Sequence, residues 1–207
     1  MDITTLVVGM FATNCYLVSC SETGEAVVID PGAEGKRIIE NVEALQLKMK
    51  YIINTHGHID HIGANGKLKE KYAVPLLLCE KDLELYNNPG FGLGLILRRQ
   101  PRPDRFISDG DRITFGTITL HVFETPGHTA GGICLREELA VFCGDTLFAG
   151  SIGRTDLPGG SHGTLMESIK QNLLVLAPET EVYPGHGPST TIGIESVTNP
   201  FVTSTML

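Results

Sequence analysis

The chain has 207 residues, of which 42% are apolar and 19% charged, enough apolar material for a sizeable core and too much for a disordered protein. Its 24 acidic and 16 basic residues leave a formal charge of −8, a poor counterpart for phosphates, so nucleic acid is excluded as the main partner. No run of about 18 apolar residues occurs, so neither a transmembrane helix nor a membrane partner is expected.

The opening MDITTLVVGMFATN has no basic start and reads as strand rather than secretory signal. The runs 3–8, 14–19 and 25–30 are short, rich in β-branched residues and separated by turn formers, which predicts an antiparallel meander stopped at Pro31-Gly32. Ile38, Val42 and Leu45 share one face of a helix over 35–47. The runs 49–54 and 75–79 are nearly continuous apolar stretches and read as buried strands, with a helix over 60–72 between them. Residues 87–105 hold three glycines, three prolines and Arg98, Arg99, Arg102 and Arg105, the composition of a surface loop or lid. Strand-like runs follow at 113–125 and 133–145, the second a hairpin. A helix over 164–176, a strand at 181–185 and a closing helix over 190–197 complete the chain. With no repeat and no linker-like composition, the expectation is a single α/β domain spanning 1–207.

The chemistry concentrates in Thr55-His56-Gly57-His58-Ile59-Asp60-His61, directly after a buried strand. Imidazole and carboxylate are ligands for zinc and its neighbours. Gly57 is expected to let the backbone turn between the first two ligands. His128 in ETPGHT, Asp145 in CGDTL and His186 in YPGHG also sit at strand ends beside glycine turns. Seven candidates (His56, His58, Asp60, His61, His128, Asp145 and His186) are too many for one open zinc site, which needs three protein groups and water. They suit two divalent ions with a carboxylate between them. Zinc, iron and manganese all accept such ligands. His121, in a strand, and His162, in a helix-capping loop, are left outside this set. The five cysteines are odd in number with no CxxC spacing, and read as reduced thiols of a cytoplasmic protein.

HGHIDH at 56–61, with the TPGHT, GDTLF and YPGHG motifs after it, resembles the metallo-β-lactamase superfamily over about residues 5–190. The resemblance implies an αββα sandwich of two mixed β-sheets flanked by helices, with the metals at one edge. It assigns His56, His58 and His128 to one metal, and Asp60, His61 and His186 to the other. Asp145 bridges them, and Asp30 supports the ligand loop from outside. The segments Gly144–Phe148 and 153–160 are similar to short, single-domain glyoxalase II-like hydrolases that lack the C-terminal helical domain of the full-length enzymes. Arg154 falls where those enzymes carry a substrate-binding lysine.

The expected activity is therefore hydrolysis of a thioester, such as S-lactoylglutathione or a related acyl-thiol, by a hydroxide bridging two metals, most readily zinc. Asp60 orients the hydroxide. The runner-up is an oxidoreductase like the persulfide dioxygenases, with one iron on His56, His128 and Asp145. β-Lactam hydrolysis and nucleic-acid processing fit less well. The expected partner is a small acyl-thiol, and the protein is expected to be a monomer or small homo-oligomer. The arginines of 87–105 would bind substrate carboxylates or a second subunit.

Overall fold

The computed structural model describes residues 1–88 and 100–203. The segment 89–99, which contains Arg98 and Arg99 of the expected lid, lies outside the described residues. Among the described residues no helix is long and apolar enough to cross a membrane.

Two six-stranded sheets form the centre. The first runs in chain order: β1 (Asp2–Val8), β2 (Thr13–Ser19), β3 (Glu25–Ile29), β4 (Lys48–Ile53), β5 (Leu76–Leu78) and β6 (Arg105–Phe106). Its first three strands are the expected antiparallel meander, and β3 to β6 are parallel. The second sheet contains β7 (Arg112–Phe115), β8 (Ile118–Glu124), β9 (Ile133–Glu137), β10 (Ala140–Gly144), β13 (Glu181–Pro184) and β14 (Thr190–Thr191). A short ribbon of β11 (Leu147–Phe148) and β12 (Ser151–Ile152) lies outside both.

Period-two alternation builds the layers. On β2, which is buried throughout, Tyr16 and Val18 face the other sheet, where they meet Leu120, Leu135 and Phe142. Cys15 and Leu17 point the opposite way, into a cluster with Ile38 and Val42 of α1 (Gly35–Ala44) and Leu68 of α3 (Asn65–Tyr72), α2 being Ile59–Ile62. The far face of the second sheet, with Cys134, Val141 and Val182, packs on Leu165 of α5 (His162–Ser168), on Ile169 and Leu173 of the π-helical turn that follows, and on Ile192 of α6 (Ile192–Thr198). The order of layers is helix, sheet, sheet, helix, which is the αββα sandwich. α4 (Leu83–Asn87) and α7 (Pro200–Thr203) are short additions.

The structure departs from the sequence pattern at several places, among them Thr190–Thr191, which form strand β14 ahead of the closing helix. The run 113–125 is a hairpin, because Gly116 turns the chain at φ 56°. The run 60–72 is two helices: the chain bends at Gly63 and Ala64, where Ala64 N–H donates to Pro31 O at 2.9 Å. α1 stops before 47 because Gln46 takes a left-handed φ of 55°. Arg105 is part of an edge strand, 3.9 Å from Asp111, and does not belong to a loop.

Candidate metal centre

β3, β4, β8, β10 and β13 point the same way in their sheets, so the residues after their C-terminal ends collect along one edge. These residues are Asp30, His56 to His61, His128, Asp145 and His186. The edge is closed across the two sheets: Asn14 N–H donates to Gly185 O at 2.7 Å, Tyr16 Oη to Pro184 O at 2.5 Å, and Ile133 N–H to Thr55 O at 2.9 Å.

His56, His58 and His128 are all buried, and one ring nitrogen of each lies within 4.8 Å of the other two. His58 Nδ1 and His128 Nε2 are 2.9 Å apart. The other nitrogen of His128 is occupied, Nδ1 lying 2.8 Å from Arg154 O, which leaves Nε2 for a ligand. Asp60, His61 and His186 form a second group of the same kind. His186 is turned by a contact of Nδ1 to Phe11 O at 3.1 Å, and Asp60 Oδ2 accepts from Thr13 Oγ1 at 3.3 Å. Asp145 stands between the groups: Oδ1 is 3.5 Å from His61 Nε2, and Oδ2 is 3.5 Å from His128 Nε2 and 3.6 Å from His186 Nε2.

Asp30 is also close to His56 and His61, yet its oxygens are already engaged. Oδ1 accepts from Thr55 N–H at 2.7 Å, and Oδ2 from Thr55 Oγ1 at 2.6 Å and His61 Nδ1 at 2.9 Å. Such a carboxylate orients a histidine instead of binding an ion itself. Among the described residues six buried side-chain atoms have no hydrogen-bond partner, and two of them, His56 Nε2 and Asp145 Oδ1, belong to this cluster. Orphaned acceptors of this kind are costly, and both point into the donor cluster. The donor set is therefore one that a divalent cation fits.

The two groups differ in charge. Burial, reinforced by His61 and His128, pushes His56 well below the ordinary imidazole range, and burial with His128 and His61 brings His58 down to about 4. Burial also opposes the charged form of His61, but Asp145 and Asp30 outweigh it and hold that group up at about 9. Burial would raise the Asp60 carboxyl, yet the bond from His186 and the charge of His61 keep it well below the usual range. At neutral pH His56 and His58 are thus ready for a cation, whereas His61 must release a proton before one enters. Zinc affinity at the second triad is expected to rise about tenfold per pH unit up to about pH 9. Calorimetric titration of metal-free protein in buffers of different ionisation enthalpy reads this directly: protons should leave with the second ion, from His61 and from His186, where burial is outweighed by contacts with Asp60 and Asp145 that raise it, and none from His56 or His58 with the first.

The centre opens into a cavity of about 670 Å³, whose walls include Phe11, Ile59, Phe148, Leu157 and Arg154. The Arg154 side chain is exposed and already paired, Nε and Nη2 each donating to Asp156 at 2.8 Å. His162, exposed at the start of α5, and His121, on β8, are absent from the cavity wall. Gly57 has a different role from the expected turn. Its φ is not left-handed, and a Cβ there would lie 2.9 Å from Tyr86 N and 3.0 Å from Asp82 O, so close approach is what demands glycine. The sequence pattern missed Thr13, Phe11 and Asp82. Of these only Asp82 had a signal, a carboxylate just past a buried strand.

An αββα sandwich with His and Asp donors gathered at one edge defines a metal-dependent hydrolase of the metallo-β-lactamase fold. The metallo-beta-lactamase superfamily model matches residues 8–186, and the chain belongs to that superfamily. An uncharacterized protein of Aquifex aeolicus is 45% identical, with 97% of each chain covered. Hydroxyacylglutathione hydrolase GloC of Haemophilus influenzae is 39% identical, with 99% of each covered. Among solved structures, BLEG-1 B3 metallo-beta-lactamase superposes with a TM-score of 0.91 at 36% identity, covering 98% of this chain and 100% of that one. TTHA1623 in a di-iron-bound form gives 0.87 at 38%, covering 96% and 99%. ETHE1 from Myxococcus xanthus gives 0.82 at 32%, covering 99% and 85%.

Proposed function

We propose that the protein hydrolyses thioesters of the S-lactoylglutathione kind, or a related acyl-thiol, with two divalent metal ions, zinc foremost. The observation that carries this is Asp145 standing between two complete donor triads at the floor of an open cavity. His56, His58 and His128 would hold one ion; Asp60, His61 and His186 the other; Asp145 both. When bound, such ions acidify water to a pKa of about 7 and polarise a carbonyl oxygen. The likeness to hydroxyacylglutathione hydrolase GloC over the whole chain supports a thioester substrate, and the di-iron-bound relative supports a dinuclear centre.

The chain's own groups supply the rest. Asp60 stays ionised and accepts a hydrogen bond from the attacking water, with Thr13 and His186 fixing its orientation. The leaving thiol, with an ordinary pKa of about 8.5, departs with little acid assistance. Phe11, Ile59, Phe148 and Leu157 cover the carbon skeleton of the substrate, and Arg154 faces its carboxylate. Five free, buried cysteines suit a reducing cytoplasm. The partner is a small molecule, neither nucleic acid nor membrane, and the protein acts as a monomer or small homo-oligomer. A single-iron oxygenase using His56, His128 and Asp145 would leave Asp60, His61 and His186 without a role.

The test is elemental analysis after metal supplementation, together with assays on acyl-glutathione and acyl-coenzyme A thioesters, a chromogenic cephalosporin, and oxygen uptake with a glutathione persulfide. Close to two metals per chain and thioester turnover are expected. One iron with oxygen uptake, or hydrolysis confined to the β-lactam, overturns the proposal.

The Arg154–Asp156 pair carries a further expectation. Asp156 fills the guanidinium fork that a substrate carboxylate would use. Asp156→Asn should lower KM for anionic thioesters by about threefold to tenfold with kcat nearly unchanged, the signature of uniform binding. The gain should shrink in high salt, because both side chains are exposed.

A further inference from the structure

Asp82 takes no part in the chemistry above, yet it is a carboxylate only 1% exposed. It ends the turn after β5, where its N–H donates to Cys79 O at 3.1 Å. Burying a carboxylate is costly unless it is hydrogen-bonded. Both of its oxygens are. Oδ2 accepts from Gly57 N–H at 2.8 Å and Oδ1 from Gly131 N–H at 2.6 Å. Gly57 lies between His56 and His58, and Gly131 closes the turn that carries His128. The contact is tight on both sides: a Cβ on Gly131 would sit 2.6 Å from Asp82 N and 2.8 Å from its Oδ1, and one on Gly57 3.0 Å from Asp82 O.

We infer that Asp82 is a positioning residue for the triad His56, His58 and His128, one carboxylate strapping the loop of the first two to the loop of the third. The inference rests on that triad being a metal site. The other triad is set by different contacts: Asp30 on His61, Thr13 on Asp60 and the Phe11 carbonyl on His186. Loss of the strap should therefore weaken one triad and spare the other, an asymmetry that a purely structural buried carboxylate would not produce. Asp82→Asn puts an NH2 group against one of the two N–H donors, so one bond is lost and the loops can separate.

The experiment measures Zn2+ affinity of metal-free protein against a chromophoric chelator in two backgrounds. His186→Ala leaves only the first triad complete, and His58→Ala only the second. Asp82→Asn is expected to weaken zinc about 10–100-fold in the first background, the range for groups that orient ligands, and to leave it nearly unchanged in the second. Should Asp82→Asn fail to fold, Gly131→Ala pries the same contact apart from the other side and should give the same asymmetry. Ile38→Val, a core change under α1, serves as a control for stability alone and should alter neither affinity. Equal weakening in both backgrounds, or none in either, overturns the inference. Absence of zinc binding by the unaltered chain would overturn the metal reading itself and this inference with it.

Discussion

Replacing His58 by alanine is expected to abolish zinc binding at the first triad and to cut thioester hydrolysis about a thousandfold or more. The magnitude follows from the charge stabilisation a metal ion supplies in the transition state, several kcal/mol, with each 1.4 kcal/mol worth a factor of ten. His58 Nδ1 is 2.9 Å from His128 Nε2, and the two close one side of the cluster whose third member is His56. With the imidazole gone, the first ion would keep only His56, His128 and the Asp145 carboxylate that it shares with the second ion, fewer unshared donors than an open tetrahedral site takes. The fold should survive, because His58 sits at the cavity wall and not in the inter-sheet core. Elemental analysis should fall from about two metals to about one, with the melting temperature of the metal-free form nearly unchanged. Full activity in a variant holding one metal would show that the first triad is not where hydrolysis occurs.

Gly185→Ala is expected to be nearly as damaging, for a reason that concerns space alone. An added Cβ would lie 2.1 Å from Asp145 Oδ1 and 2.7 Å from His61 Cε1. Neither can retreat freely: His61 is fully buried with Nδ1 held by Asp30, and Asp145 stands among three imidazoles. Overpacking of this kind costs about 1–3 kcal/mol, and here the displaced atoms are the candidate ligands. The variant should lose metal from both triads, since Asp145 lies between them, and activity should fall at least about a hundredfold. Gly187→Ala two residues on meets nothing within 4 Å, although its φ of 76° strains any side chain, so it should cost stability and spare metal content. Equal metal loss in both variants would mean that backbone strain, not the Asp145 contact, makes residue 185 a glycine.

Much of the architecture was legible because its causes are local. The run 14–19 is short, rich in β-branched residues and bounded by turn formers, which marks a strand before any partner is known. The seven ligand candidates, from His56 to His186, stand out because each follows an apolar run and a turn former, which places them at strand ends wherever those strands lie. Legibility failed where a single residue turned the chain inside a good pattern: Gly116 split 113–125, and the bend at Gly63 and Ala64 split 60–72. The grouping of the donors into two triads came from resemblance, since the spacing of seven donors along the chain does not say which of them meet.

What the sequence determined by itself was the set of chemical groups and their positions at strand ends, because periodicity and turn chemistry act over a few residues. Only the tertiary structure decided which groups meet. Asp145 reaches both triads because parallel β10 and β13 end together at the edge where β4 also ends. Arg154 meets Asp156 across one turn, and its carbonyl meets His128, 26 residues away. Asp82 joins Gly57 and Gly131 across sequence separations of 25 and 49 residues. Such contacts depend on strand order and on how closely two loops approach, and neither leaves a mark in the pattern of a single segment.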